Sequence, residues 1–308
     1  MSSIAVIGAG AWGTALAVLN ARAGKTVTLW ARNPAVAGAR LPGVVLPESL
    51  VVTGVVPVAD VLLLAVPMQA LSATLAMLPG TGPVVLCCKG LDTATLKLPP
   101  ELVVGRPAAI LTGPNFAHEV AAGLPAAAVL AIPDAGLRAE LMAALKTDTL
   151  RLYGSPDMMG AALGGAAKNV IAIAAGVVMG AGLGENARAA LITRGIAEIG
   201  RLAVRLGGKP ETVAGLSGLG DLLLTCTGAS SRNFSLGFAM GTGVALPDIL
   251  AGRSSVTEGV ATAPALLARA SAEGVDMPIT AAVTKLLKGE MNIPGTMAAL
   301  MGRALKDE

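Results

Sequence analysis

Residues 3–13 read SIAVIGAGAWG, an apolar run that passes directly into glycines at 8, 10 and 13 and then into the helical stretch TALAVLNARAG. That order leaves few options. A strand has to end at Gly8, the backbone has to turn sharply, and a helix has to begin at once, with Gly24 as its stop signal. A second apolar run at 26–30 closes a βαβ unit within about 30 residues. The glycines have separate uses. Gly8 permits the tight turn, Gly10 lets backbone approach a pyrophosphate at the helix N-terminus, and Gly13 allows close helix–strand packing. The pattern points to a dinucleotide.

The rest of the N-terminal half repeats the theme. Apolar runs at 61–67, 84–89, 108–111, 126–132 and 150–153 alternate with helical spacing at 69–77 and 135–146. Such alternation predicts an α/β chain with a doubly wound, mostly parallel sheet covered on both faces. After Ser155 the spacing becomes helical throughout, with helices expected over 157–180, 185–206, 219–227, 256–273 and 278–288. The expectation is a Rossmann-like domain at 1–157 and an all-helical, substrate-binding domain at 158–308.

Composition narrows the classes. Hydrophobic residues make up 54% and aromatics 2% of the chain, so small aliphatics and 39 glycines must do the packing. The net charge of +3 is spread thinly, without the basic run that nucleic acid would need. A mean hydropathy of +0.70 raises the question of a membrane. The stretch 50–68 is broken by Pro57, Asp60 and Pro67, and 170–184 is short and glycine-rich for a span. The N-terminus carries no charged leader, and the three cysteines show no disulfide or metal spacing, so the expectation is a cytoplasmic protein without a metal. His118, the one histidine, sits beside Glu119 and reads as a helix-start partner rather than a base.

Past the second strand, a site selective for NAD usually carries an acid for the ribose 2′-hydroxyl. Here the sequence runs Ala31, Arg32, Asn33. Arg32 suits a 2′-phosphate and favours NADPH, with NADH as the alternative.

The segments GAGAWGTALA (8–17), LLLAVP (62–67), CKGL (88–91), GPNFAHE (113–119), AAKNVIAIAAG (166–176), LITRG (191–195), LSGLGDLLLTCTG (216–228), SSRN (230–233) and VTEG (256–259) are more specific. In order and spacing they resemble bacterial NAD(P)-dependent glycerol-3-phosphate dehydrogenases over essentially the whole chain. The resemblance implies interconversion of dihydroxyacetone phosphate and sn-glycerol 3-phosphate, supplying phospholipid synthesis, by a homodimer. Between Arg32 and the LPG at 41–43 the chain is shorter than many relatives, and Arg40 stands where they often carry Tyr.

Hydride transfer to a ketone builds negative charge on oxygen, which an acid must stabilise and protonate. Lys168 lies in the apolar stretch AALGGAAKNVIAIAAG, where burial and a neighbouring cation would lower its pKa. Lys89, near a strand's carboxyl end, can be that cation and can contact substrate and cofactor. Asp221 opens an apolar helix and reads as a cap; the resemblance makes it a partner of Lys168 and of a substrate hydroxyl. The resemblance also assigns Gly113, Asn115, Ser231, Arg232 and Asn233 to the substrate, the SRN triplet to its phosphate. It assigns Ala11, Trp12, Ala117, Arg232, Val256 and Glu258 to the cofactor. Two other readings are a related hydroxyacid or ketopantoate enzyme, which would lack the SRN triplet, and an inert nucleotide-sensing scaffold, which would lose Lys168 or Asp221.

Overall fold

The apolar runs build one eight-stranded sheet in the structure, a computed structural model that describes residues 1, 3–253 and 257–304. The strands are β1 (Ser3–Ile7), β2 (Thr26–Trp30), β3 (Val51–Thr53), β4 (Val61–Leu64), β5 (Val84–Leu86), β6 (Ala108–Thr112), β7 (Ala126–Ala131) and β8 (Leu150–Ser155). Their spatial order is β3-β2-β1-β4-β5-β6-β7-β8, parallel throughout except between β6 and β7. The order reverses at β1, so a crevice opens outside the carboxyl ends of β1 and β4. Every residue of β4 and β5 is buried, which is why both read as unbroken apolar runs without alternation. Helices α1 (Ala11–Arg22), α2 (Leu71–Met77), α3 (Ala117–Ala121) and α4 (Ala135–Leu145) are interspersed among the strands.

From Met158 onward the described residues form helices only. These are α5 (Met158–Gly180), α6 (Gly184–Arg205), α7 (Pro210–Ala214), α8 (Asp221–Thr227), α9 (Arg232–Gly241), α10 (Leu246–Ala251), α11 (Glu258–Ala272), α12 (Pro278–Leu287) and α13 (Ile293–Met301). A π-helical turn at Leu216–Gly220 leads into α8. Four elements escape the sequence pattern among the helices: α7, α9, α10 and α13. Three are very short or carry Pro in the first turn, and α9 has two interior or terminal glycines that lower helix propensity. Strand β3 was hidden in the valine-rich stretch at 50–58, and β5 stops at Leu86, three residues short of Lys89.

Helix α5 organises the helical half. It is long and apolar enough to cross a bilayer, yet 89% of its apolar window is buried inside the protein. It packs against α6, α8, α9, α11 and α12, and the closest of these neighbours is α9. A Cβ built on Gly176 would lie 2.1 Å from the Phe234 carbonyl oxygen, and one on Gly180 would lie 2.1 Å from that of Phe238. In the other direction, a Cβ on Gly237 would lie 2.0 Å from the Ile173 carbonyl oxygen. The two helices therefore touch backbone to backbone, and only glycine fits at these positions.

On the other side, Glu198 of α6 is buried and accepts the backbone N–H of Ile279 (2.6 Å) and of Thr280 (3.3 Å) in the first turn of α12. Its carboxylate serves as a cap supplied by another helix, completing donors that the helix leaves unsatisfied. Burial pushes its pKa up to about 7 against the pull of those N–H groups.

The α5–α9 contact predicts a contrast. Gly237→Ala should lower stability by about 1–3 kcal/mol through overpacking against fixed backbone. Gly200→Ala, in α6 with nothing within 4 Å of the added carbon, should be neutral or stabilising by up to about 1 kcal/mol. Thermal denaturation followed by circular dichroism separates the two; equal shifts in Tm would show that close approach is not what glycine supplies.

Candidate active site

The Gly8 turn has the geometry that its sequence requires. Gly8 has φ +111°, in the region that side chains avoid, and a Cβ there would meet the Ala65 carbonyl oxygen at 2.7 Å. A Cβ on Gly13 would lie 1.8 Å from the Gly8 carbonyl oxygen, so α1 rests directly on the turn. Gly10 differs: its added carbon would point into open space. Gly10 precedes α1 without a side-chain cap, and the first turn has no acidic residue. Ala11 and Trp12 open this helix, and the buried indole Nε1 of Trp12 has no hydrogen-bond partner among the described residues. A buried orphan donor beside an uncapped helix N-terminus and an open glycine fits the pyrophosphate end of a dinucleotide. Arg32, just past β2, is exposed, and Ala117 is the first residue of α3.

The charged centre lies where α5 meets the sheet. Two glycines of α5 allow the approach. A Cβ on Gly164 would lie 2.6 Å from the Ser217 carbonyl oxygen in the π-helical turn, and one on Gly165 would lie 3.0 Å from Thr112 Oγ1 and 3.6 Å from the Lys89 side chain. One turn further along, Lys168 is buried, and its Nζ donates to Asp221 Oδ1 and to Thr225 Oγ1 (3.0 Å). Asp221 is fully buried, and its other oxygen accepts from Lys89 Nζ at 2.6 Å. Lys89 also donates to the Gly113 carbonyl oxygen at 3.4 Å. Two lysines thus share one fully buried carboxylate, Lys168 from the interior and Lys89 from a partly exposed position, in surroundings that make unpaired charge expensive.

Asp221 is not the cap that its place before an apolar helix suggests. It is the first residue of α8, the preceding residue is Gly220, and the carboxylate turns toward the lysines. The π-helical turn runs directly into Asp221, so the carboxylate stands at the junction of that turn and α8. Lys168 has its pKa pushed down to about 8, first by burial and then by Lys89, while Asp221 pulls it up. Thr225, which donates to the Asp221 carbonyl oxygen at 2.6 Å while accepting from Lys168, was missed in the sequence. Its position four residues after Asp221 on one helix face is the signal that was available.

The SRN triplet is divided by its helix. Ser231 caps α9, its Oγ accepting the Phe234 N–H at 3.2 Å. Asn233 is buried, donating to Asn169 Oδ1 (2.9 Å) and accepting the Gly259 N–H (3.0 Å). These bonds tie α5, α9 and α11 together one residue away from Lys168. Arg232 is exposed between them. Glu258, first in α11, has its pKa raised by burial, opposed by the cations of Arg232, Lys89 and Lys168, which places it in the same electrostatic neighbourhood. Val256 lies outside the described residues. Gly113 has φ +150°, and a Cβ there would lie 3.0 Å from the Ala127 carbonyl oxygen in β7. Asn115 donates to the Ala127 carbonyl oxygen at 2.9 Å, and its own Oδ1 is buried without a partner among the described residues. His118 is largely exposed, stacked on Phe116 and 3.9 Å from Glu119. Among the described residues, no group of three His, Cys, Asp or Glu side chains is arranged to hold a metal.

A glycine turn that fits a pyrophosphate on a doubly wound sheet, together with a buried lysine–carboxylate pair in the same chain, has the features of a dinucleotide-dependent dehydrogenase. The models of the NAD-dependent glycerol-3-phosphate dehydrogenase N-terminus and C-terminus match residues 3–137 and 157–298. The chain belongs to that glycerol-3-phosphate dehydrogenase family. It is 59% identical to the glycerol-3-phosphate dehydrogenase [NAD(P)+] of Acidiphilium cryptum, over 99% of this chain and 98% of that one. Identity to the Gluconobacter oxydans enzyme of the same name is 54%, over 97% of each chain. The crystal structure of glycerol-3-phosphate dehydrogenase from Coxiella burnetii superposes with a TM-score of 0.91 at 35% identity, covering 98% of this chain and 99% of that chain.

The electrostatics of the centre can be read directly. In a ¹⁵N-lysine titration by NMR, Lys168 should titrate near pH 8 and be identified by loss of its signal in Lys168→Met, since Lys25 is also pushed down to about 8. Asp221→Asn removes the anion that raises it, so the midpoint should fall further. A Lys168 midpoint that stays in the range of exposed lysines would show that the centre is hydrated.

Proposed function

We propose that this chain transfers hydride between NAD(P)H and dihydroxyacetone phosphate to give sn-glycerol 3-phosphate, with Lys168 as the acid. The observation that carries the reading is a buried lysine Nζ held by Asp221 and Thr225 at the meeting of sheet and helices. Bound NAD(P)H supplies the hydride. The chain supplies everything else. Charge grows on the ketone oxygen as hydride arrives, and the Lys168 ammonium stabilises it and donates a proton; in alcohol oxidation the neutral amine takes that proton back. Asp221 holds the ammonium in place and keeps it from losing more of its basicity to burial. Lys89 adds a second cation and keeps the proton affinity of Lys168 near the working range.

The remaining assignments follow the division of the chain into 1–157 and 158–308. We assign Gly8, Gly10, Ala11, Trp12, Gly13, Arg32, Lys89, Ala117, Arg232, Val256 and Glu258 to the cofactor. Gly113, Asn115, Ser231, Arg232 and Asn233 are assigned, with Lys89, Lys168 and Asp221, to the substrate. Within the triplet, Arg232 carries the one positive charge, and its planar guanidinium suits phosphate oxygens, two at a time. Exposed Met297 and Met301 on α13 leave an apolar face, which supports the homodimer that we propose, working in the cytoplasm.

Three measurements test the reading. The purified protein should oxidise NADPH with dihydroxyacetone phosphate and ignore unphosphorylated dihydroxyacetone; equal activity on both would falsify the phosphate role. Lys168→Met should fold, bind NADPH, and lose at least ~10²-fold in kcat. In the parent enzyme, ketone reduction should fall and alcohol oxidation rise as pH passes through about 8, because the two directions need the protonated and neutral amine respectively.

Cofactor choice is tested separately. Arg32→Glu exchanges a partner for a 2′-phosphate for an acceptor of a 2′-hydroxyl. The ratio of kcat/KM for NADPH to that for NADH should drop about tenfold or more, the loss of one charge-assisted contact. An unchanged ratio would make Arg32 a solvated surface residue.

A further inference from the structure

Arg253 draws attention because its guanidinium lies beside another arginine and makes bonds to two separate helical segments. Nη1 donates to the Arg232 carbonyl oxygen at 2.8 Å and to Thr257 Oγ1 at 3.4 Å, and Nη2 donates to Ser235 Oγ at 3.0 Å. Ser235 in turn donates to the same Arg232 carbonyl oxygen at 3.2 Å, which closes a ring of hydrogen bonds around the first turn of α9. The Thr257 side, buried, immediately precedes Glu258 and α11. The arrangement has a cost. Partial burial and the Arg232 cation both push the Arg253 pKa down, so like charges are being held together. Acceptors on two segments offset that repulsion, and a planar fork suits them better than a point charge would.

We propose that Arg253 is a positioning residue, which fixes the Arg232 turn of α9 at a set distance from the Glu258 end of α11. It does no chemistry itself. Its part is to hold the Arg232 side chain where the substrate's phosphate meets it. The proposal rests on the assignment of Arg232 to the substrate phosphate given above. Neither the glycine turn nor the lysine centre involves Arg253, and its place just before residues 254–256 gave no sequence pattern that would single it out.

The test is a double-mutant cycle on the intact enzyme, with KM for dihydroxyacetone phosphate, kcat and Tm as readouts. Arg253→Ala should raise that KM by about tenfold, the loss of a charged hydrogen-bond set, with kcat within a few-fold and little change in Tm. Arg253→Lys should recover part of the loss, and it decides the matter if the alanine variant is unstable. In an Arg232→Ala background the Arg253→Ala effect should vanish, because there is no longer a side chain to position. Equal effects in both backgrounds, or a lowered Tm with an unchanged KM in both Arg253 variants, would overturn the positioning role. If Arg232→Ala leaves KM unaltered, the phosphate assignment fails and the proposal with it. If Arg232→Ala raises KM and neither Arg253 variant does, the positioning role alone fails.

Discussion

A single carboxylate, that of Asp221, takes both lysines of the centre, and the arrangement around it explains much of the helical half. Neither Lys168 nor Asp221 could be buried alone, since an isolated charge in an apolar interior shifts its pKa until it is neutral. Paired, each meets the other's charge directly, and Lys89 reaches the same carboxylate from the sheet side. The pair therefore links α5 to α8 and also links the helices to the loop after β5. Thr225 adds a hydroxyl acceptor to the ammonium beside that carboxylate.

That centre requires helices to come closer than ordinary side chains allow. Glycine supplies the distance: Gly164 and Gly165 let α5 meet the π-helical turn and the Lys89 side chain, and Gly176, Gly180 and Gly237 let it meet α9 backbone to backbone. The few aromatics and the many glycines are two sides of one solution, a core packed with small side chains and main chain. The same close packing carries Asn233 to Asn169 and so sets Arg232 relative to Lys168. An interior of this kind leaves little room to relax, which is why positioning bonds such as those of Arg253 can matter at the site's edge.

Legibility in the sequence followed the strength of local pattern. The turn at Gly8, Gly10 and Gly13 was readable because each glycine answers a separate local demand within six residues of one another. Six of the other strands and the long helices α5, α6, α11 and α12 were readable from period and length. Strand β3 and helix α9 were not: the first is three residues in a run of valines, the second is interrupted by the glycines that its packing needs. Lys168 stood out as a charge in an apolar stretch. Asp221, by contrast, read equally well as a cap, because a carboxylate before an apolar helix is the usual cap and its lysine partners lie 53 and 132 positions away.

The sequence by itself determined the glycine turn after β1, the alternation that makes a doubly wound sheet, and the presence of a lysine that cannot be solvated where it lies. These depend on interactions between residues close in the chain, or on the mismatch between one residue and its neighbours. Tertiary structure alone decided that Asp221 takes Lys89 as well as Lys168, that Asn233 bonds to Asn169 and Gly259, and that Arg253 spans two helical segments. Each of these joins elements that only packing brings together. Their hydrogen bonds are set by the directions in which distant backbones place them, and those directions are not written in any local stretch of the chain.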